Sequence, residues 1–237
     1  MSLLKNFLVR QSARSLYIIL DQETCKQYSI SMIDVYKICC AEGIRLFQYR
    51  DKRSKGTEKD EFTEKFFEQV SLIDRASETM VILNDDLQLA VKLGVPVHLG
   101  QQDLPFKFGL SNQNGIASLG YGASSHNASE LERLQYLSEY DIGPDYSAFG
   151  AVFPSPSKPD VEVHFSELEL FFKMNPSLYS VLIGGITPTN IERLNTMIDK
   201  LAGSGKTFYA VISGIFLNGS TEAAIRKTIR QYLNVLS

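Results

Sequence analysis

Eight short apolar runs, each followed by helical or loop sequence, constrain the fold of this chain more than any other feature. The strands that they predict are Leu16–Leu20, Arg45–Tyr49, Val81–Leu83, Val95–Val97, Ile116–Gly120, Tyr146–Gly150, Tyr179–Ile183 and Tyr209–Ile212. Regular alternation of strands and helices favours a parallel sheet. Eight such units in 237 residues fit an α/β fold of the (β/α)8 TIM barrel type, for which about 250 residues are typical. We therefore predict a single barrel domain over residues 1–237, with residues 1–15 as an N-terminal extension.

An open, doubly wound α/β sheet is the structural alternative, but no G-x-G-x-x-G pattern follows the first predicted strand. Apolar residues at helical spacing predict helices that include Lys59–Ala76 and Thr221–Leu236. On the first of these helices we expect one buried face, formed by Phe62, Phe66, Phe67, Val70 and Ile73. Asp86 and Asn127 precede other helical stretches and are predicted to cap them.

The composition argues against several classes of protein. The net charge is −3 and the Lys and Arg residues are scattered, so no basic stripe indicates a nucleic-acid surface. No apolar run approaches the roughly 20 residues that cross a bilayer, and residues 1–15 lack the features of a secretory signal. Three cysteines make no disulfide framework. We therefore expect a cytoplasmic protein without membrane or nucleic-acid partners, and the sequence predicts no oligomeric state.

Polar or glycine-rich segments follow seven of the predicted strands. In a (β/α)8 barrel the carboxyl ends of all strands meet at one face, where active sites are built. The segments that we expect at this face are Gln48–Lys52, Asn84–Asp86, His98–Asp103, Gly122–His126, Phe153–Lys158, Gly184–Ile186 and Ile212–Ile215.

Two acidic residues follow adjacent strands, Asp85 after the third and Asp103 after the fourth. Neighbouring carboxylates repel one another unless positive charge lies between them. Mg²⁺ commonly binds one or two carboxylates together with the phosphate oxygens of a substrate. Arg50, Lys52 and Lys158 add cations that suit a polyanion. The set therefore predicts a diphosphate pocket with Mg²⁺.

Glycine-rich turns follow the last two strands, at Gly184–Gly185 and Ser213–Gly214. Such turns offer main-chain N–H groups next to a helix N-terminus, which is the usual phosphate site of this fold. We therefore expect a second anion, a monophosphate that is held without metal.

Each of these residues has a plainer interpretation when it is taken alone. An acid at a strand end more often caps a helix, and Arg50 and Lys52 can pair with Asp51 and Glu58 on the surface. His98 packs at a strand end more readily than it binds metal, because the histidines have no zinc-site spacing. The joint occurrence of the segments at successive strand ends favours a binding site.

In their order along the chain, these segments resemble the thiamine-phosphate synthase family from Leu16 to about Ile215. The family patterns QxRxK, ND, HLGQxD, GxS, FxTxTK, GGI and VIS correspond to Gln48–Lys52, Asn84–Asp85, His98–Asp103, Gly122–Ser124, Phe153–Lys158, Gly184–Ile186 and Val211–Ser213. HLGQxD together with ND is the specific part. Ser155 and Ser157 stand where the family usually has threonines, and segment 199–207 is long and polar for the family.

The resemblance implies a transferase that joins 4-amino-2-methyl-5-hydroxymethylpyrimidine diphosphate to 4-methyl-5-(2-phosphoethyl)thiazole and releases pyrophosphate. It implies that Asp85 and Asp103 hold Mg²⁺ against the diphosphate. Arg50, Lys52 and Lys158 would be catalytic because they stabilise the charge of the leaving pyrophosphate. The substrate-binding residues that the resemblance implies are Gln48, Tyr49, Arg50, Asp51, Lys52, Asn84, Ser124, Ser155, Pro156, Ser157, Lys158, Gly185, Ile212 and Ser213.

Two other functions stay open from the sequence. One is a thiazole tautomerase-like isomerase of the same superfamily, which would use an acid–base residue such as His126 and no metal. The pair Asp85 and Asp103 disfavours it, because a metal-free isomerase has no use for both acids. The other is a non-catalytic barrel that binds a phosphorylated metabolite, which the serine replacements permit and the intact set of cations and acids disfavours.

Overall fold

The chain folds into one closed barrel of eight parallel strands that pair in sequence order, with β8 completing the ring against β1. A computed structural model describes residues 1–54, 56–104, 113–155, 165–175, 179–201 and 205–236. The strands are β1 (Arg14–Asp21), β2 (Leu46–Arg50), β3 (Met80–Asn84), β4 (Val97–Leu99), β5 (Tyr121–Ser125), β6 (Tyr146–Gly150), β7 (Tyr179–Ile183) and β8 (Lys206–Val211). The predicted (β/α)8 fold is confirmed, and the predicted bounds of β6 and β7 match the observed ones.

Helices surround the barrel and connect its strands. They are α1 (Leu3–Leu8), α2 (Gln22–Gln27), α3 (Met32–Ala41), α4 (Gly56–Ile73), α5 (Leu87–Leu93), α6 (Gln113–Leu119), α7 (Ala128–Glu139), α8 (Phe165–Met174), α9 (Ile191–Ile198) and α10 (Glu222–Leu236), with a 3-10 turn at Ser213–Phe216. The predicted caps are confirmed, because Asp86 accepts the N–H of Leu89 and Asn127 accepts the N–H of Glu130. Among the described residues, every helix is too short or too polar to traverse a lipid bilayer.

The strands of the barrel are buried on both faces. In β1, Tyr17 and Ile19 point into the barrel interior, whereas Leu16, Ile18 and Leu20 pack in the layer between strands and helices. This division follows from the two-residue period of a strand. Parallel strands that are covered on both faces consist of nearly continuous apolar residues, which explains why the sequence shows runs rather than alternation.

Helix α1 closes the amino-terminal end of the barrel. Leu4 and Leu8 are fully buried and belong to the same apolar cluster as the residues of the barrel interior. Ser2 caps the helix and also donates to Asp145, just before β6, at 2.5 Å. The side chain of Lys206 at the start of β8 donates to the carbonyl of Val9. The predicted N-terminal extension therefore contains a helix that is part of the core. Strand β1 begins at Arg14, which lies inside the predicted extension.

The fifth strand was predicted wrongly at Ile116–Gly120. Residues up to Leu119 form α6, Gly120 ends this helix with φ +86°, and β5 begins at Tyr121. Ile116 and Leu119 are three positions apart, which is helical spacing, and a short apolar run does not separate the two alternatives. The true strand contains few β-branched or large apolar residues because two of its positions face the barrel interior as Gly122 and Ser124.

The predicted buried face of α4 is wrong at its two ends. Phe66 and Phe67 are buried, but Phe62 is 48% exposed and Ile73 is 40% exposed. Helix α4 is 18 residues long, whereas β2 and β3 beside it have five residues each. Ile73 is the last residue of this longer helix, whereas Phe62 directly precedes the fully buried Thr63 and lies beside the buried face rather than on it.

We expect Leu8→Ala to lower the free energy of unfolding by about 2–5 kcal/mol, because it leaves a cavity under the barrel. The matched control is Leu3→Ala on the same helix, where the side chain is 44% exposed and the change is expected to stay within about 0.5 kcal/mol. Urea-induced unfolding followed by circular dichroism measures both. Equal losses in the two variants would contradict the role of α1 in the core.

Candidate active site

A cavity of about 490 Å³ opens at the carboxyl ends of the strands. Every strand of the barrel contributes to its wall, through Tyr17, Gln48, Asn84, His98, Ser124, Ala148, Val181 and Ala210 among others. The predicted convergence of the strand ends on one site is therefore observed.

The cavity wall contains eight of the residues that the sequence singled out: Gln48, Arg50, Lys52, Asn84, Asp85, Ser124, Ser155 and Ile212. Five others are described by the structure but are not part of that wall, namely Tyr49, Asp51, Asp103, Gly185 and Ser213. Pro156, Ser157 and Lys158 lie outside the described residues, so their predicted roles stay predictions.

Tyr49 and Asp51 do not line the cavity, and their roles as substrate contacts stay predictions. Tyr49 lies between two inward residues of β2 and therefore points outward, where its ring packs against Phe66 at a centroid distance of 4.9 Å. Asp51 is buried, and its Oδ1 accepts the N–H groups of Arg53 at 3.0 Å and Ser54 at 3.1 Å. Its carboxylate thus shapes the loop that carries Lys52.

Arg50 is held at the rim by an acid from the neighbouring strand. Its guanidinium donates to Oδ2 of Asp21, the residue opposite it in β1. Oδ1 of Asp21 accepts the main-chain N–H and the hydroxyl of Thr24 at 2.9 and 2.7 Å, which caps α2. Both carboxylate oxygens are therefore engaged, and the guanidinium is fixed beside the cavity.

Two acids lie at the rim above β3 and β4. Asp85 lines the cavity with φ +66°, donates its N–H to the carbonyl of His98 at 2.8 Å, and has Lys52 Nζ 3.4 Å from its Oδ2. Asp103 donates its N–H to the carbonyl of Gly100, and its Oδ2 would lie 3.3 Å from a Cβ on Gly100, a residue of the cavity wall. Asp85 is therefore part of the cavity wall and Asp103 lies next to the wall residue Gly100, and in the described ranges no group of three or more acids, histidines or cysteines that could hold a metal ion is present.

A chain of hydrogen bonds crosses the floor of the cavity. Gln48 Nε2 donates to the hydroxyl of Tyr17 at 2.9 Å, and this hydroxyl lies 3.1 Å from that of Tyr146. The hydroxyl of Tyr146 lies 2.8 Å from Nδ1 of His98, whose Nε2 is 2.9 Å from Oγ of Ser124. We call these five residues the polar chain.

Gly122 makes room for this arrangement. A Cβ at this position would lie 1.9 Å from Cζ of Tyr146, directly inside the ring. Only glycine therefore lets the Tyr146 ring lie across the barrel beneath His98. The two rings are nearly parallel, with an interplanar angle of 13°.

His98 is neutral at pH 7, because desolvation by the surrounding protein lowers its pKa to about 4. Burial raises the pKa values of Tyr17 and Tyr146 above that of a free tyrosine, so both keep their protons. Gln48 donates to Tyr17, and a neutral His98 has one ring nitrogen that accepts and one that donates. The tautomer with its proton on Nε2 accepts from Tyr146 and donates to Ser124, and the tautomer with its proton on Nδ1 reverses both directions.

The turn after β7 supplies main-chain donors near the cavity. Gly184 lines the cavity, and Gly184 and Gly185 have φ values of +104° and +61°, a region that favours glycine. Their carbonyls accept the N–H of Phe153 at 3.1 Å and the side-chain amide of Asn190 at 2.8 Å. Within the described part of the chain, the N–H groups of Gly185 and Ile186 donate to no protein acceptor.

Sequence reasoning missed several residues of the site. His98 was interpreted as a packing residue although it lies in the most specific motif, and Tyr17 is hidden in an apolar run. Side chains alternate between the two faces of a strand, so Tyr17 and Ile19 share one face of β1. This alternation was the only sequence signal that placed Tyr17 in the barrel interior. His126, considered only for an isomerase, lines the cavity and has its Nδ1 2.9 Å from Oε2 of Glu130.

A closed barrel whose cavity carries cations, a carboxylate and a glycine turn at the strand ends belongs to the class of barrel proteins suited to phosphorylated small molecules. A family model described as thiamine monophosphate synthase matches residues 16–215. The chain therefore belongs to the thiamine monophosphate synthase family.

Curated relatives share this assignment over most of their length. The thiamine-phosphate synthase of Thioalkalivibrio sulfidiphilus is 33% identical over 188 residues, which cover 78% of this chain and 80% of the relative. That of Nitrosococcus oceani is 31% identical over 218 residues and 90% of each chain. Among solved structures, a thiamine phosphate pyrophosphorylase from Pyrococcus furiosus aligns over 99% of this chain and 100% of its own, with a TM-score of 0.68 and 20% identity, which supports the fold.

We expect the protein to become less stable as the pH falls from about 6.5 towards about 4, because the folded state keeps His98 neutral while the unfolded state protonates it. The contribution of His98 that is lost between pH 7 and pH 5 is roughly 2 kcal/mol. Urea unfolding at the two pH values measures this loss. His98→Asn should show a smaller loss, since all other titrating groups are shared, and an identical loss in both proteins would contradict the assignment.

Proposed function

We propose that the protein is a thiamine-phosphate synthase. It couples 4-amino-2-methyl-5-hydroxymethylpyrimidine diphosphate to 4-methyl-5-(2-phosphoethyl)thiazole and releases pyrophosphate. The observation that carries the proposal is the presence of Arg50, Lys52 and Asp85 together on one cavity wall, in a chain of this family. This combination of fixed cations and a rim carboxylate suits a diphosphate leaving group.

Arg50 and Lys52 act on the diphosphate. As the bond between the pyrimidine methylene and the diphosphate oxygen breaks, negative charge grows on the leaving group, and cations already in place stabilise it without reorganisation. Asp21 supplies this preorganisation by holding the Arg50 guanidinium. Lys158, which lies beyond the described residues, is proposed as a third cation.

Asp85 and Asp103 are the residues that would hold Mg²⁺. Two carboxylates at adjacent strand ends match the small number of protein oxygens that Mg²⁺ takes when a substrate phosphate and water complete its shell. The Asp85 carboxylate faces the cavity with the Lys52 ammonium 3.4 Å from its Oδ2, so Mg²⁺ would share this carboxylate with Lys52. When bound, Mg²⁺ would add positive charge at the diphosphate oxygens.

The polar chain forms the floor on which the pyrimidine would rest. We assign pyrimidine contacts to Gln48, Asn84 and Ser124, whose amide and hydroxyl groups line the cavity. The polar chain fixes the orientation of Gln48 and Ser124 before a substrate arrives. Donors that are already oriented lose little freedom on binding.

The thiazole phosphate is assigned to the turns after β6, β7 and β8. Ser155 and Ile212 line the cavity, and the N–H groups at Gly185 and Ser213 lie next to wall residues. Pro156 and Ser157 are proposed parts of the same anchor. Because the thiazole nitrogen is the nucleophile, the protein needs no catalytic serine or cysteine, and its task is to hold the two substrates in line.

A metal-independent isomerase acting on a thiazole phosphate is the second candidate, because His126 lines the cavity and Glu130 orients its imidazole. Isomerisation that proceeds without Mg²⁺ and is lost in His126→Gln would favour it. Lys52 and Asp85 in the same cavity favour the synthase, since an isomerase has no diphosphate for them to act on.

We expect the purified protein to form thiamine phosphate and pyrophosphate from the two substrates in the presence of Mg²⁺. A coupled assay for pyrophosphate release, with chromatographic detection of thiamine phosphate, measures this. The controls omit one substrate or replace Mg²⁺ with EDTA. No product under conditions in which an established thiamine-phosphate synthase works would remove the proposal.

We expect Asp85→Asn and Asp103→Asn each to lower kcat/KM by at least about 10²-fold, the typical cost of losing one preorganised electrostatic group. Both variants should also need more Mg²⁺ to reach half of their maximal rate. The matched control is Asp86→Asn, the neighbouring acid, which caps α5 and should keep its activity because Asn also caps helices. Wild-type Mg²⁺ dependence in the Asp85 and Asp103 variants would exclude them as metal ligands.

A further inference from the structure

Tyr232, on the terminal helix α10, lies outside every motif that the sequence singled out, yet its hydroxyl reaches two of the turns at the cavity rim. It donates to the carbonyl of Ile186 after β7 at 2.8 Å and lies 3.4 Å from the carbonyl of Gly214 after β8. We propose that Tyr232 is a positioning residue for phosphate binding, because it ties these two turns together at a fixed separation. The inference rests on the proposed function, which assigns the thiazole phosphate to these turns.

The environment of Tyr232 keeps its hydroxyl a donor. Its side chain is fully buried in α10 against the barrel. Burial raises the pKa of Tyr232 above that of a free tyrosine, so it remains protonated throughout the physiological range. Its single proton is shared between the two carbonyls, with Ile186 as the nearer acceptor at 2.8 Å and Gly214 as the weaker acceptor at 3.4 Å.

Gly214 shows how closely the two turns approach each other. A Cβ at this position would lie 2.7 Å from the Tyr232 hydroxyl and 3.0 Å from the carbonyl oxygen of Ile186. The main chain of one turn therefore touches both the carbonyl of the other turn and the hydroxyl that binds it. The distance between the turns is set at this junction.

The turn after β7 is fixed at three successive carbonyls by three different elements. The segment after β6 donates to Gly184 through Phe153, Asn190 donates to Gly185, and Tyr232 donates to Ile186. Because a trans peptide is planar, each fixed carbonyl also fixes the N–H of the following residue on the opposite side. Phe153 and Asn190 thus fix the N–H groups of Gly185 and Ile186. Tyr232 holds the next peptide, whose N–H belongs to Thr187 and donates to Oδ1 of Asn190 at 2.8 Å, so it anchors the end of the turn.

This geometry links Tyr232 to one substrate only. Loss of the hydroxyl leaves the Ile186 carbonyl without its donor and lets the two turns move relative to each other. The diphosphate residues Arg50, Lys52 and Asp85 belong to β2 and β3 and their loops, and the Tyr232 hydroxyl contacts none of these but only the turns after β7 and β8; β1 separates β2 from β8, and three strands separate β3 from β7. A change at Tyr232 should therefore weaken thiazole phosphate binding and leave pyrimidine diphosphate binding as it was.

The test is Tyr232→Phe in the full chain, which removes only the hydroxyl. We expect the KM for the thiazole phosphate to rise about tenfold, with kcat and the KM for the pyrimidine diphosphate within twofold of wild type. Inorganic phosphate, as an inhibitor competitive with the thiazole phosphate, should lose affinity by a similar factor. Gly214→Ala strains the same junction from the turn side and should change the same parameters in the same direction.

The matched control is Tyr121→Phe. Tyr121 is also buried, and its hydroxyl also donates to a main-chain carbonyl, that of Ile142 at 2.6 Å, but at the start of β5 at the opposite end of the barrel. Both variants are expected to lose thermal stability, but only Tyr232→Phe should change the KM for the thiazole phosphate. An unchanged KM in Tyr232→Phe, or an equal change in Tyr121→Phe, would overturn the inference.

A direct binding measurement separates this inference from the proposed function. Isothermal titration with inorganic phosphate, in the presence of saturating Mg²⁺ and pyrophosphate to fill the diphosphate site, compares wild type with both variants. If wild type makes no thiamine phosphate but binds phosphate more tightly than Tyr232→Phe does, the proposed reaction fails and the tie between the turns stands. If wild type binds no phosphate under these conditions, the inference fails as well.

Discussion

Closure of the barrel is the constraint on which the rest of the structure depends. Eight parallel pairings, completed by β8 against β1, force every strand to end at the same rim. Residues as distant in sequence as Tyr17 and Ile212 therefore line one cavity. A lysine after one strand and an aspartate after the next indicate little when each is taken alone. Closure of the barrel brings them close together, so they can act on the same ligand.

The alternation of side chains along each strand then decides which of them face the cavity. Gln48 and Arg50 face the cavity, whereas Tyr49 between them packs among the aromatic rings behind the strand. The same rule places Tyr17 inside a run of otherwise apolar residues. The barrel interior is thus apolar at its amino-terminal end, where α1 fills it, and polar at its carboxyl end, where hydrogen bonds replace apolar contacts.

Much of this architecture was predictable from the sequence, for identifiable reasons. Strands β6 and β7 are apolar runs bounded by clear turn residues, and the segments at the rim are short and ordered along the chain. The position of β5 was not predictable from the sequence, because Gly122 and Ser124 face the barrel interior and the strand therefore contains no apolar run. The role of His98 was not predictable either, because the charge and tautomer of its imidazole depend on partners from other strands. The role of Tyr232 was not predictable because it depends on contacts between three elements that are far apart in the sequence.

The polar chain draws its five members from five strands: β1, β2, β4, β5 and β6. A slip of one residue in any of these strands would turn its member outward and leave buried neighbours without partners. Apolar contacts tolerate such errors because one aliphatic side chain can replace another. Hydrogen bonds do not tolerate such errors, because they need a donor and an acceptor in the right direction. The polar chain therefore both orients groups for a ligand and disfavours barrels with misaligned strands during folding.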